Sequence, residues 1–320
     1  MEKSSLQVIT FWFIFGMTIL AVTAALLIPP TTAPTTEWAQ YSFTYFVNTL
    51  PFLILGSLTA GFIHHYLTPQ TLQANTPKNL RNALLATSLL GLALPFGKVG
   101  IIPIVWVLLK KQFPLHFAIT LLLAAPAVNP ITFLALTTTL GLGWAISTTA
   151  LSLIIAISLG ALTYRLPHHP PPTTAFSMRH HRIENAPPPT IHPFWTPITT
   201  ASDTLLTFLP FFIIGCLLSA IWDTADLTLW LTTTMPTIAA VLPIALFSAH
   251  LPLTAGSTAA GLLNTTSAAV TAIYLTLGTM FGLTTTTTLI PVLKPQTIML
   301  LIILTSLITL GFGFIITLFV

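Results

Sequence analysis

The nine residues Leu50-Pro51-Phe52-Leu53-Ile54-Leu55-Gly56-Ser57-Leu58 recur as Leu209-Pro210-Phe211-Phe212-Ile213-Ile214-Gly215-Cys216-Leu217, with six of nine positions identical. Proline, phenylalanine and glycine in fixed register mark a repeat and not a chance likeness of two apolar runs. Each copy is followed by a turn, an apolar stretch broken in its middle, and a long apolar stretch carrying small residues. The chain is therefore built in two halves of the same plan, and the way those halves cross a bilayer decides the fold.

Composition requires the bilayer. Of 320 residues 54% are hydrophobic and only 5% charged, and the mean hydropathy is +0.91. Soluble domains carry about 25% charged residues, so a soluble enzyme is excluded, as are disordered and fibrous chains. A single cysteine, Cys216, leaves no internal disulfide and no Cys-x-x-Cys zinc site. The formal charge of +4 informs membrane orientation and not nucleic-acid binding.

A spanning helix needs about 20 apolar residues. Such runs occupy 8–28, 41–66, 115–140, 144–164, 198–222, 267–289 and 297–319. The first is too long for the core of a signal peptide and no small-residue cleavage site follows, so it reads as an anchored helix. Two further stretches are interrupted: 82–109 by Pro95-Phe96-Gly97-Lys98-Val99-Gly100, and 231–263 by Ser248-Ala249-His250-Leu251-Pro252. Their arms, roughly 11–17 residues or about 17–25 Å, are short for a crossing.

Lys3, Lys78, Arg81, Lys110, Lys111, Arg165, Arg179, Arg182 and Lys294 lie in loops or at helix ends, whereas the segments holding Glu37 and Asp223-Thr224-Ala225-Asp226 contain no Lys or Arg. With the amino terminus inside, all nine cations fall on the cytoplasmic side if each broken stretch enters and leaves on one side. Two full crossings per broken stretch give the same loop sides, and arm length favours re-entry. The expected class is an all-α, polytopic membrane protein with an inverted-topology repeat and two broken or re-entrant hairpins. Its parts are a helix and outside loop (1–40), a first repeat (41–165), a cytoplasmic linker (166–197), and a second repeat with a C-terminal helix (198–320). The linker, with Pro170-Pro171-Pro172 and Pro187-Pro188-Pro189, predicts an extended solvated segment. Its five histidines read as incidental and not as a metal site.

Inverted repeats are used by many secondary transporters, whose substrates sit near the midplane where discontinuous helices meet. Lys98 is the only Lys or Arg inside an apolar stretch, a placement costing about 2.5–3.5 kcal/mol on insertion scales unless a partner or cavity offsets it. Aligning Ala93-Leu94 with Ala245-Leu246 sets Lys98 opposite His250, so each repeat presents one titratable nitrogen. Pro126-Ala127-Val128-Asn129-Pro130 removes helix hydrogen bonds in a spanning segment, and Gly278-Thr279-Met280-Phe281-Gly282 is its counterpart. The candidate substrate site is Gly97, Lys98, Pro126, Asn129, Pro130 and His250. Asp203 reads as a cap, Asp223 and Asp226 as an outside turn, and the runs 137–139 and 284–288 as threonines bonded to their own helices. No Ser/His/Asp, metalloprotease, P-loop or dinucleotide pattern occurs, so no enzyme activity, cofactor or metal is expected.

The runs Leu94-Pro95-Phe96-Gly97-Lys98-Val99-Gly100-Ile101-Ile102-Pro103, Phe113-Pro114-Leu115 and Leu123-Ala124-Ala125-Pro126-Ala127-Val128-Asn129-Pro130 resemble the predicted permease family that includes the organoarsenical efflux permeases. Leu-Pro-Phe before each hairpin fits it too. Members commonly carry a Cys-Ser-Cys motif where this chain has Phe96-Gly97-Lys98, and often a cysteine near Phe247. Soft trivalent arsenic prefers thiolates, and Cys216 lies on another element. The resemblance implies a permease, and the lysine points to an anionic or proton-coupled solute. The expected function is movement of a small solute or ion across the inner membrane by alternating access. The alternative is a non-transporting membrane subunit that scaffolds a partner. Membrane lipid and a second copy or accessory subunit are the expected neighbours.

Overall fold

The computed structural model describes residues 37–75, 77, 79–94, 96–165, 196–224, 242, 244–246 and 268–319. The expected first helix, most of the linker, Pro95 and the second hairpin tip with His250 lie outside them. All regular structure among the described residues is helical: α1 (Glu37–Tyr66), α2 (Pro69–Asn75), α3 (Leu80–Leu89) with a 3-10 turn (Leu90–Ala93), α4 (Gly97–Lys110), α5 (Leu115–Val128), α6 (Pro130–Leu140), α7 (Leu142–Arg165), α8 (Thr196–Thr224), α9 (Ala268–Met280), α10 (Leu283–Leu289) and α11 (Pro295–Phe319). Thr196 opens α8, and Pro197 falls in its first turn, where a missing N–H is harmless.

Among the described residues six stretches are long and apolar enough to cross a membrane: Glu37–Tyr66, Leu115–Leu140, Leu142–Arg165, Thr196–Asp223, Ala269–Leu289 and Pro295–Phe314. The protein is a multi-pass membrane protein. Its outward faces are apolar, as lipid demands: on α11, Met299, Leu307 and Phe314 are each more than half exposed. Two of the six spans are interrupted, Leu115–Leu140 between α5 and α6 and Ala269–Leu289 between α9 and α10. These two are also the most enclosed. In each, 78% of the apolar window is buried, against 28–50% in the continuous four. A broken helix leaves backbone groups that lipid cannot satisfy, so it belongs in the protein interior.

The repeat copies pack on each other in opposite directions. Trp38 near the start of α1 donates to the Leu217 carbonyl late in α8 at 3.3 Å. Tyr45 donates to the Asp223 carboxylate, and Phe46 meets Phe212 with ring centroids 5.7 Å apart. At the other end of α1, Gly61 lies against Pro197 and Ala201 at the start of α8. Antiparallel α1 and α8 are what an inverted repeat requires of its matched helices. Asp223, expected in an outside turn, is helical and closes this pair.

The matched glycines of the motif allow close helix crossings. A Cβ on Gly56 would overlap the Gly100 backbone of α4, and one on Gly215 would fall 2.7 Å from the Thr284 Cα of α10. Many helix hydroxyls are bonded within their own helix. Thr137 donates to Phe133 (2.8 Å), Thr139 to Ala135 (2.7 Å), Thr287 to Leu283 (2.8 Å) and Thr309 to Thr305 (2.7 Å). Returning the hydroxyl to the carbonyl one turn back lets a threonine sit in an apolar interior.

Candidate functional site

The site begins with the turn ahead of α4. Gly97 has φ 61°, in the left-handed region, and a Cβ there would meet nothing. Its glycine is needed for the backbone angle and not for space. That turn starts α4 directly at Gly97, with Phe96 before it and no side chain capping the first amides. Lys98 is the second residue of the helix. Lys110 and Lys111 close it, Lys110 with its ammonium 3.7 Å over the Trp106 ring. Twelve residues of helix put Lys98 about 18 Å from this charged end.

The half-buried Lys98 ammonium donates to two backbone carbonyls of the other repeat, Gly278 at 3.0 Å and Phe281 at 3.2 Å. Both belong to the break between α9 and α10. In a continuous helix these oxygens would accept from the amides of Gly282 and Thr285. The break withholds those partners, and the lysine takes their place. The carbonyl end of α9 also carries the negative pole of its helix dipole. Charge-assisted hydrogen bonds contribute about 1.5–3 kcal/mol each, so two of them offset the cost of about 2.5–3.5 kcal/mol for a lysine within an apolar spanning stretch. Gly282 adopts extended backbone, and no side chain caps α10. The short described segment Ile244-Ala245-Leu246 also comes near, since the Ala245 carbonyl lies 3.9 Å from where a Cβ on Gly278 would sit.

The first repeat breaks at the corresponding point by different chemistry. Pro130 starts α6, a position where its missing N–H is tolerated. A residue before proline is driven out of the helical region, and Asn129 has φ −54° and ψ 127°. Its Oδ1 then accepts from the Ile131 amide at 2.8 Å, capping α6. Its own amide donates to Ala125 at 3.1 Å, so a single buried residue links α5 to α6. Pro126 denies an N–H to Leu122, as Pro130 does to Pro126. The Ala127 carbonyl receives Thr149 Oγ1 from α7 at 3.3 Å.

Among the six residues singled out from sequence, Gly97 and Lys98 form one tip and Pro126, Asn129 and Pro130 form one break. No hydrogen bond joins Lys98 to Asn129. Its partners are Gly278 and Phe281, which lie in the glycine-flanked counterpart of the proline run. Sequence named that segment without assigning it a ligand, because a carbonyl is present at every residue. His250 lies outside the described residues. The Tyr45–Asp223 pair had no signal in sequence: its members are 178 positions apart and neither belongs to a motif.

Among the described residues no group of three or more His, Cys, Asp or Glu is placed to hold a metal. Cys216 is buried on α8, and a lone thiol cannot supply the several sulfur ligands a soft metalloid favours.

Two relatives are similar over part of their length. A protein of Streptococcus mutans serotype c, described as the subunit of a two-component membrane permease complex, is 39% identical over 118 residues, 36% of this chain and 39% of that protein. The UPF0718 protein YcgR of Bacillus subtilis is 32% identical over 113 residues, 35% of this chain and 38% of that one. The matched stretch therefore spans about two fifths of each relative. No solved structure matches the chain. A family model described as a predicted permease matches residues 38–318, which takes in both repeats, the Lys98 tip and both breaks, and the chain belongs to that predicted permease family.

Proposed function

We propose that the protein moves a small anionic or proton-coupled solute across the membrane by alternating access, with Lys98 as the residue that couples solute to conformation. The observation carrying this reading is the Lys98 ammonium seated on carbonyls freed by the opposite repeat's helix break. A cation held by two carbonyls of one half is a removable link between halves. An anion arriving at the uncapped start of α4 competes for the ammonium with the α9 carbonyls, and loss of its proton breaks the same link. Helix amino termini favour anions, and binding that differs between two states is what shifts a conformational equilibrium. Asn129 spends its Oδ1 on the α6 cap and keeps its amide N–H groups as donors, so it stays in the proposed site. Gly97, Pro126 and Pro130 shape it, and His250 is its proposed counterpart from the second hairpin. The inner membrane is the proposed location, with amino terminus and linker cytoplasmic.

The test is flux in proteoliposomes across a panel of small anions, with and without an imposed pH gradient. A saturable flux lost in Lys98→Met supports the reading. Flux unchanged by Lys98→Met removes Lys98 from the mechanism. A second reading, a non-transporting membrane subunit that scaffolds a partner, draws on the Streptococcus relative described as part of a two-component complex. Inactive proteoliposomes together with stable copurification of one partner would favour it.

A further inference from the structure

At the opposite end of α4 from Lys98, the bundle holds a cavity of about 340 Å³, at the small end of the usual range for ligand pockets. One wall is the link from α4 to α5, where Gln112 adopts φ 61° and turns the chain so that Lys111, Gln112 and Phe113 line the same space. The first turn of α5 forms the next wall through His116 and Phe117, and Tyr164 near the end of α7 faces them. His116 is held in place by rings on two sides, 4.0 Å from Phe117 and 5.0 Å edge-on from Tyr164 by centroids.

Every polar side chain in this lining can donate a hydrogen bond: an ammonium, a carboxamide, an imidazole and a phenol. None of the lining residues is a carboxylate. Pro114 caps α5 with no side-chain acceptor, so the amino-terminal amides and positive pole of a 14-residue helix add to the same potential. Among the described residues no acid pairs with Lys111, and partial burial holds its ammonium below the ordinary lysine range. The remaining walls are apolar, with Leu72 and Leu80 beside the two phenylalanines.

We propose that this cavity is a binding site for the phosphate group of an anionic molecule, separate from the Lys98 site. Lys111 and the α5 amino terminus would hold the phosphate oxygens, while Gln112, His116 and Tyr164 orient it and the apolar walls receive the rest of the molecule. Two sources supply this chemistry at a helix end: the headgroup of an anionic phospholipid, and a soluble phosphate compound. Basic pockets between spanning helices near the surface suit the first. The proposal does not depend on what the protein transports.

The experiment uses the full-length protein, with Lys111→Gln as the test and Lys110→Gln as the charge-matched control, since Lys110 packs on Trp106. Native mass spectrometry measures retention of phosphatidylglycerol against phosphatidylcholine from mixed nanodiscs, and calorimetry in neutral detergent measures binding of inorganic phosphate. Selective retention of phosphatidylglycerol that falls about fivefold or more in Lys111→Gln and not in Lys110→Gln supports a lipid phosphate. Saturable heat with inorganic phosphate, lost in the same variant only, supports a soluble one. Equal retention of both lipids with no phosphate heat overturns the proposal. So does an equal loss in both variants, which would mean diffuse surface charge and not a site.

Discussion

The two interrupted spans differ in where each finds partners for its freed backbone. The break at Asn129 is closed from within: proline sets the angle, the asparagine side chain caps the next helix, and a neighbouring threonine serves a carbonyl. The break at Phe281–Gly282 is closed from outside, by a lysine about 180 positions away on the other repeat. A break closed by residues of its own repeat keeps its partners whatever the other repeat does. A break satisfied by a charged side chain from elsewhere changes its energy whenever that side chain leaves. Under the proposed mechanism, the same fold position carries a fixed joint in one half and a switchable one in the other.

The largest expected effect tests the switchable joint. Lys98→Met removes two charge-assisted hydrogen bonds together with the insertion cost of the charge, so folding should hold while flux drops about 100-fold or more. Lys98→Arg should restore only part, since guanidinium keeps its proton at physiological pH. Proteoliposome flux beside detergent melting separates the two quantities, and normal flux in Lys98→Met would make both joints scaffold.

Packing under the joint comes next. Gly100→Val drives a side chain into the Phe52 carbonyl of α1, and overpacking of this kind costs about 1–3 kcal/mol. Because it pushes α4 off α1 below Lys98, melting and flux should fall together. A loss of stability with full flux would mean that α4 need not be held rigidly.

Asn129→Ala tests the fixed joint. Loss of the cap should cost about 1 kcal/mol, and Asn129→Asp should recover much of it. The comparison predicts the reverse balance to Lys98→Met, more loss in stability and less in flux. If Asn129→Ala abolishes flux at unchanged stability, the first break is as much a solute contact as the second.

The smallest effect is expected where α1 meets the end of α8. Tyr45→Phe leaves the Asp223 carboxylate without its hydroxyl partner, and its partial exposure keeps the loss at or below the low end of the about 1.5–3 kcal/mol of a hydrogen bond to a charged group. A modest fall in melting temperature with little change in flux would place this pair in the scaffold. An equal effect from Tyr45→Phe and Lys98→Met on flux would move the coupling to that end.

Sequence by itself determined the membrane class, the six described spans, the breaks at Asn129 and at Gly278–Gly282, and the opposed direction of α1 and α8. Each of these rests on local composition, on the fixed demands of proline and glycine, or on the segregation of cations, and such signals are written residue by residue. Lys98 was legible as a candidate for the same reason: a lone ammonium in an apolar run is conspicuous. Its partners were not, because they are backbone carbonyls, which no sequence position advertises and which become available only where a helix is interrupted. The enclosure of the two broken spans, the meeting of Lys98 with Gly278 and Phe281, and the cavity beside Lys111 join residues from separate helices. The tertiary structure alone decided them, since burial and hydrogen bonding between distant segments depend on how the helices pack and not on what each helix contains.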